Sequence, residues 1–172
     1  PMWNIANFLN SPSTGNDPYG ALYSGIQRAN IVLRYIDQIP ASGITEEDRS
    51  MIKGEALFLR GYQYFLLVNN YKEVPLRLIP SNEDETNKGP ASEAALWTQV
   101  EEDLGNAIKC NLPVERTTAK ERVTKGAAIA MLGKVYATQH KYPEAKQLLV
   151  SLLSAPYSYE LVDDFAKNFT NE

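Results

Sequence analysis

Apolar side chains recur at spacings of three and four residues along five stretches of the chain, which is the period of helices that bury one face. The first stretch follows Asp17, a residue type that caps helices, and Pro18, which suits a first helical position. Its apolar stripe consists of Leu22, Ile26, Ala29, Leu33 and Ile36. Pro40 and Gly43 are expected to end this helix.

The second stretch begins at Thr45, with Asp48 three residues later in a capping-box-like arrangement, and is predicted to run to about Tyr71. From Leu57 to Val68 the sequence is apolar at nearly every position. A helix without a polar face is usually surrounded by neighbours. We therefore expect the segment 57–68 to be an enclosed central rod.

Three further helices are predicted, separated from the first two by the polar connector Glu73 to Lys88. The third helix should begin at Ser92 and be stopped by Leu112 and Pro113. The fourth should run from Lys125 to about Gln139, and the fifth from about Pro143 to Ser154. The segment Val114 to Val123 is a charged link, and the opening segment Pro1 to Asp17 is loop-rich. The alternation that marks strands is sustained nowhere, so residues 1–172 are predicted to form a single all-α domain.

The last two helices carry the spacing of a tetratricopeptide repeat, in which a Leu-Gly pair and a Tyr are followed by an Ala on the second helix. Here these positions are Leu132, Gly133, Tyr136 and Ala145, with Leu149 and Leu152 beyond them. The small residues allow two antiparallel helices to approach closely. Because such a hairpin cannot bury its apolar side alone, we expect it to stack against the central rod.

The charge pattern argues against a nucleic-acid partner. The net charge is −4, and the Lys and Arg residues form no cluster of the kind that displaces counterions from phosphates. An apolar fraction of 44% and a charged fraction of 22% suit a folded domain with a hydrophobic core.

Catalytic and metal-binding patterns are weak. Cys110 and His140 are the single residues of their types, so neither a disulfide within the chain nor a cysteine-based zinc site is expected. Glycosidases hold two carboxylates across a cleft, whereas the acidic runs 83–85 and 101–103 lie in a connector and on a helix face. We predict no cofactor, no metal and no catalytic residue; a glycan-degrading enzyme is the less favoured alternative.

Five segments, in order, resemble the SusD/RagB family. They are Tyr23 to Leu33 (a Tyr-x-x-Ile-x-x-Ala-Asn helix), GEALFLR at 54–60, YKEVPL at 71–76, Trp97 to Pro113, and RVTKGAA at 122–128. Lys72 stands where glycine is common in the family. The resemblance covers most of the chain and implies a tetratricopeptide-like helical fold.

The resemblance also implies a function. Members of this family are surface lipoproteins of the outer membrane that bind glycans, or peptides in the RagB branch, and pass them to a SusC-like TonB-dependent transporter. They are longer than 172 residues and follow a signal peptide and an anchoring cysteine, so we expect this chain to be part of a longer protein. The alternative is a tetratricopeptide-like module that binds protein or peptide without glycan specificity.

The opening loop holds the candidate ligand contacts. Sugars are bound by aromatic faces and by a few amide or carboxylate hydrogen bonds. Trp3, Asn4 and Asn16 supply these groups, and the equivalent region contributes to glycan sites in some family members. Trp3 has an alternative role as an anchor packed on the helices.

Several polar residues on helix seams are expected to be structural. Glu55 and Arg60 should satisfy each other or nearby backbone, because buried charges must be paired. The alternative is that this pair contacts ligand. Asn30 should bind a neighbouring loop or helix, and Asp103 a helix end or a basic side chain such as Arg122 or Lys125.

Overall fold

The computed structural model describes residues 18–81, 88–157, 159–160 and 162–169. Within these ranges the chain forms five α-helices and three short 3-10 turns. The helices are α1 (Pro18–Tyr35), α2 (Glu46–Tyr71), α3 (Glu93–Lys109), α4 (Lys125–Thr138) and α5 (Tyr142–Val150). The 3-10 turns are Ile36–Gln38, Ser151–Leu153 and Phe165–Phe169. The predicted all-α class is confirmed.

Three helix starts are fixed by their capping side chains. The hydroxyls of Thr45, Ser92 and Thr124 accept the backbone N–H three residues later, at 3.1, 3.3 and 3.2 Å. Each such cap stabilises a helix by about 1 kcal/mol, because it satisfies a donor that has no partner inside the helix. Thr45 and Ser92 were predicted to open their helices, and the helix after Thr124 was predicted to begin at Lys125, where it does begin.

Three helix ends differ from the expected limits. α3 ends at Lys109, three residues before Leu112. α1 ends at Tyr35 and passes into a 3-10 turn, where Arg49 of α2 donates hydrogen bonds to the carbonyls of Ile36 and Ile39. α5 ends at Val150, four residues before the predicted end, and its last turn tightens into 3-10 geometry. Pro156 disfavours a helical conformation at the residue before it, which limits any extension of this helix.

Each helix packs chiefly on its neighbour along the chain, from α1 on α2 to α4 on α5. This order is that of stacked helical hairpins. One core cluster draws on the first four helices and the connector, and its fully buried members include Ile26, Tyr64, Leu67, Val68, Val74, Leu96, Val100, Leu104 and Val135. No helix of the described residues is long and apolar enough to cross a membrane.

The prediction of an enclosed rod is only partly correct. α2 is central between α1 and α3, but Leu59 is 46% exposed and Tyr62 is 40% exposed. The hairpin of α4 and α5 packs mainly on α3, and α4 contacts α2 much less. The hairpin contacts α2 so little because α3 packs closely on α2. If Gly61 of α2 carried a Cβ atom, that atom would lie 3.1 Å from Asp103 Cβ. α3 therefore occupies the place that was expected for the hairpin.

The hairpin itself has the predicted geometry. An added Cβ atom on Gly133 would lie 2.6 Å from Leu149 Cδ2, so any larger residue would require this leucine to shift. Ala145 is buried against α4. His140 lies in the turn, is exposed, and is paired with the Tyr142 hydroxyl at 2.8 Å.

Candidate functional site

A cavity of about 220 Å³ opens between one face of α1 and the connector that follows α2. α1 lines it with Gly20, Tyr23, Ser24, Ile26, Gln27 and Asn30, and the connector lines it with Arg77 and Ser81. The α1 positions repeat every three or four residues, which places them on the same side of the helix. Two of them, Gly20 and Ser24, are small and leave the space open.

The cavity lining is rich in groups that bind hydroxyls. It combines amide, hydroxyl and guanidinium groups with one phenol ring. The Arg77 guanidinium lies 5.3 Å from the centre of the Tyr23 ring, and Gln27 Oε1 accepts the Ser81 N–H at 2.9 Å. An aromatic face beside several hydrogen-bonding groups is chemistry suited to a polyhydroxylated ligand.

Tyr23 is held in its neutral form. Burial, followed by the hydrogen bond and charge of neighbouring Tyr19, raises the pKa of the Tyr23 phenol far above its usual value. Its hydroxyl donates to the Pro75 carbonyl at 2.6 Å. The ring therefore remains a neutral hydrogen-bond donor that joins α1 to the connector.

The connector wall is held by side chains of α1 and α2. The Tyr64 hydroxyl donates to the Arg77 carbonyl at 2.8 Å and accepts the Arg77 N–H at 2.7 Å. Asn30 Nδ2 donates to the carbonyls of Arg77 and Ile79, both at 3.1 Å. Asn30 thus binds a neighbouring loop, as predicted.

A buried ion pair lies behind this wall. Arg60 donates to both carboxylate oxygens of Asp103, at 2.8 and 2.7 Å, and to Asn30 Oδ1 at 2.9 Å. Gln99 donates to the same carboxylate at 2.9 Å. The expectation that Glu55 and Arg60 would satisfy each other was wrong. Asp103 meets a basic side chain, as expected, but that side chain is Arg60 and neither Arg122 nor Lys125. α2 and α3 cross so that Arg60 faces Asp103 instead.

Glu55 binds the charged link between α3 and α4. Its carboxylate accepts hydrogen bonds from Arg116 and from Arg122, the latter at 2.6 Å. The carboxylate raises the pKa of the Arg122 guanidinium. Arg116 also donates to the Val123 carbonyl at 3.0 Å, so one acidic side chain organises this link.

A family model described as "Starch-binding associating with outer membrane", and called SusD-like, matches residues 2–137. The chain belongs to the SusD-like family. The resemblance seen in the sequence is thereby confirmed, and with it the tetratricopeptide-like helical fold.

Solved SusD-like structures superpose closely on this SusD-like chain. A "Laminarin binding SusD-like protein" is 33% identical, with a TM-score of 0.83, over 95% of this chain and 36% of its own. A SusD superfamily protein from Bacteroides vulgatus is 32% identical, with a TM-score of 0.81, over 99% of this chain and 38% of its own.

A third structure, "Surface glycan-binding protein A from Bacteroides uniformis", is 24% identical with a TM-score of 0.79, and it supports the fold alone. The match covers 94% of this chain and 36% of the length of that structure. The SusD-like chain thus spans little more than a third of the length of each of these three solved structures. No match was found among the curated proteins.

The predicted contact residues Trp3, Asn4 and Asn16 lie outside the described residues. In sequence, Asn16 lies two positions before Pro18, the first residue of α1. Gly20, which lines the cavity, lies two positions after Pro18. The cavity residues Gln27, Arg77 and Ser81 were not singled out from the sequence. The string YKEVPL marked the connector, but no periodicity indicated which of its side chains face α1.

Two of the three carboxylates of the acidic run on α3 are bound to cations. Glu101 accepts hydrogen bonds from Lys141 at 2.5 Å and Gln139 at 2.7 Å, which joins α3 to the turn of the hairpin. Asp103 is bound to Arg60. Among the described residues no cluster of three or more His, Cys, Asp or Glu could hold a metal ion.

A second concave surface lies between α2 and α4. It is an open apolar groove of about 390 Å³, lined by Phe58, Tyr62, Ala127, Ala130, Met131 and Lys134. The Phe58 and Tyr62 rings stack with their centres 6.3 Å apart. This groove has few polar groups and suits an apolar segment better than a sugar.

Proposed function

We propose that this chain belongs to a surface nutrient-binding protein of the outer membrane that captures oligosaccharide and hands it to a SusC-like TonB-dependent transporter. The observation that carries the proposal is the 33% identity to a laminarin-binding SusD-like protein over 95% of the chain. The outer-membrane location follows the description of the family.

The geometry of the described residues supports a glycan as ligand. The cavity beside α1 brings the Tyr23 ring together with the guanidinium of Arg77 and the amide of Gln27. The opening segment joins α1 at this end of the molecule, since Asn16 is four positions from Gly20. We propose that Trp3, Asn4 and Asn16 add further contacts to ligand held near this cavity.

We propose that the protein binds its ligand without cleaving it. Hydrolysis of a glycosidic bond requires a pair of carboxylates flanking that bond. Two of the three carboxylates of the α3 run, Glu101 and Asp103, are instead tied to Lys141 and Arg60. Incubation with laminarin or starch should release no shorter products, and any enzyme-dependent release of oligosaccharide contradicts this part of the proposal.

Glycan binding is tested by affinity electrophoresis and calorimetry with the purified protein and a panel that includes laminarin and starch. Trp3→Ala and Asn16→Ala should weaken binding, because each removes a proposed contact. Tyr142→Ala is the matched control, since this tyrosine is 60% exposed and lies at the start of α5. If no glycan of the panel binds, glycan capture is wrong; if Trp3→Ala binds as the unchanged protein does, only the assigned contact is wrong.

Transfer to a transporter is tested separately. Affinity purification of the tagged protein from solubilised outer membranes should recover a TonB-dependent transporter. Recovery of the tagged protein without any transporter contradicts the handover.

The apolar groove favours one alternative function, a module that binds peptide. Its stacked Phe58 and Tyr62 rings and Met131 suit apolar side chains. Binding of a peptide library, abolished by Met131→Asp, combined with no binding to any glycan, would favour this alternative.

A further inference from the structure

Side chains of α1 and α2 hold the connector between α2 and α3 in place. Residues 74–81 form no helix or strand, apart from a single bridge between Pro75 and Pro90. The Val74 carbonyl accepts a backbone N–H from Ala91 at 2.9 Å. From Pro75 onward, backbone groups of Pro75, Arg77, Ile79 and Ser81 bind side chains of α1 and α2. Because buried backbone groups need partners, these side chains determine where the connector lies.

Tyr64 is the most direct of these supports. It is completely buried on α2, and its hydroxyl both donates to and accepts from the backbone of Arg77. Because these two hydrogen bonds involve the N–H and the carbonyl of Arg77, they hold the peptide groups on both sides of this residue. The Arg77 side chain is thereby presented to the cavity above the Tyr23 ring.

Arg60 acts on the same wall through Asn30. Arg60 Nη1 donates to Asn30 Oδ1 at 2.9 Å, which directs the amide NH2 group of Asn30 to the carbonyls of Arg77 and Ile79. Asp103 holds Arg60 in place with two hydrogen bonds. A chain of polar contacts therefore runs from α3 to the connector.

We infer that Tyr64 and Arg60 are positioning residues for ligand capture, which fix the connector wall that presents Arg77 to the cavity. Neither lines the cavity, so both act through the connector and not by contact with ligand. The inference rests on the proposed function, because it requires the cavity to take part in glycan binding.

The first test is amide hydrogen exchange in the Tyr64→Phe variant. This change removes one hydroxyl and leaves the buried ring, so the Arg77 N–H loses its acceptor while the packing of α2 is kept. Exchange at the Arg77 amide should become faster by about tenfold or more, since an unsatisfied buried group carries a penalty of that size. Exchange at amides within α4 should be unchanged. Tyr142→Phe, at an exposed tyrosine, is the matched control.

The second test is a double-mutant cycle on affinity for laminarin, or for the glycan of the panel that binds most tightly. Tyr64→Phe should weaken binding in the otherwise unchanged protein by about the same tenfold. In an Arg77→Ala background it should weaken binding no further, because the side chain that it positions is gone. A general loss of stability would lower binding equally in both backgrounds.

Three outcomes overturn the inference. Unchanged exchange at Arg77 removes the positioning role whatever the ligand. If exchange at the Arg77 amide is faster in Tyr64→Phe but this variant binds glycan as tightly as the unchanged protein, the role in capture is wrong and the proposed function stands. If no glycan of the panel binds, the proposed function fails and this inference fails with it.

Discussion

Arg60 and Asp103 form a two-point ion pair across the interface of α2 and α3, although they are 43 residues apart in the chain. Both side chains are almost completely buried, and Asn30 of α1 joins the same network through Arg60. Three helices and the connector therefore meet at one charged cluster. A buried pair of this kind contributes little net stability when intact, but losing one partner leaves an uncompensated charge in the core.

Replacement of Asp103 by asparagine should therefore destabilise the protein strongly. We expect a loss of about 3–5 kcal/mol in the free energy of unfolding, because Arg60 stays buried without a counter-charge. Urea denaturation followed by circular dichroism measures this difference. Asp37→Asn is the control, since Asp37 forms an exposed pair with Lys53 and should change stability by less than about 1 kcal/mol. Equal effects of the two substitutions would contradict the role of the buried pair.

The helices could be predicted from the sequence because their signals are local. The caps at Thr45, Ser92 and Thr124 each depend on a residue three positions away, and the apolar stripes depend on neighbours within two turns. The partner of Arg60 is not a local property. Its identity depends on how α2 and α3 cross, and the small residue Gly61 allows a closer crossing than the pattern indicated.

The candidate site was predictable only in part. Asn30 was expected to bind a neighbouring loop because a polar amide in the middle of an apolar stripe needs a partner, and it does so. Arg77 and Ser81 lie in a segment without periodicity, where no spacing rule assigns a side chain to a face. The cavity arises from the path of this connector over α1, which depends on the hydrogen bonds of Tyr64 and Asn30.

Two glycines should respond in opposite directions to replacement by alanine. A Cβ on Gly54 would lie 2.7 Å from Cys110 Cβ, whereas a Cβ on Gly105 would meet nothing within 4 Å. Gly54→Ala should destabilise the protein by about 1–2 kcal/mol, since overpacking costs more than the gain in helix propensity. Gly105→Ala should stabilise it by about 0.5–1 kcal/mol, because alanine is the better helix former. Thermal unfolding of both variants gives the comparison. A stabilising Gly54→Ala would contradict the close packing at Gly54, and a destabilising Gly105→Ala would contradict the open space at Gly105.

Loss of the Glu55 carboxylate should loosen the link between α3 and α4. Glu55→Gln removes the counter-charge of Arg116, whose side chain is 9% exposed, and of the more exposed Arg122. A hydrogen bond to a charged group contributes about 1.5–3 kcal/mol, so the open form of the link should become at least about tenfold more populated. Limited trypsin digestion detects this change as faster cleavage after Arg116, Lys120 or Arg122. Glu102→Gln carries the same charge change at an exposed position of α3 and should leave the cleavage rate unaltered.

Tyr23 should make the stability of the protein depend on alkaline pH. Burial raises the pKa of its phenol in the folded protein, whereas in the unfolded chain the phenol ionises near its ordinary value of about 10. The contribution of Tyr23 to stability is therefore complete below about pH 10 and is lost as the pH rises from there toward the folded-state pKa. Tyr23→Phe should be less stable than the unchanged protein at about pH 8, because it lacks the hydrogen bond to the Pro75 carbonyl. The difference should become smaller at about pH 11, where only the unchanged protein has the phenol to ionise on unfolding. Urea midpoints at the two pH values test this, with Tyr142→Phe to correct for the loss of one exposed phenol. A difference that stays constant or grows with pH would show that burial does not favour the neutral form of Tyr23.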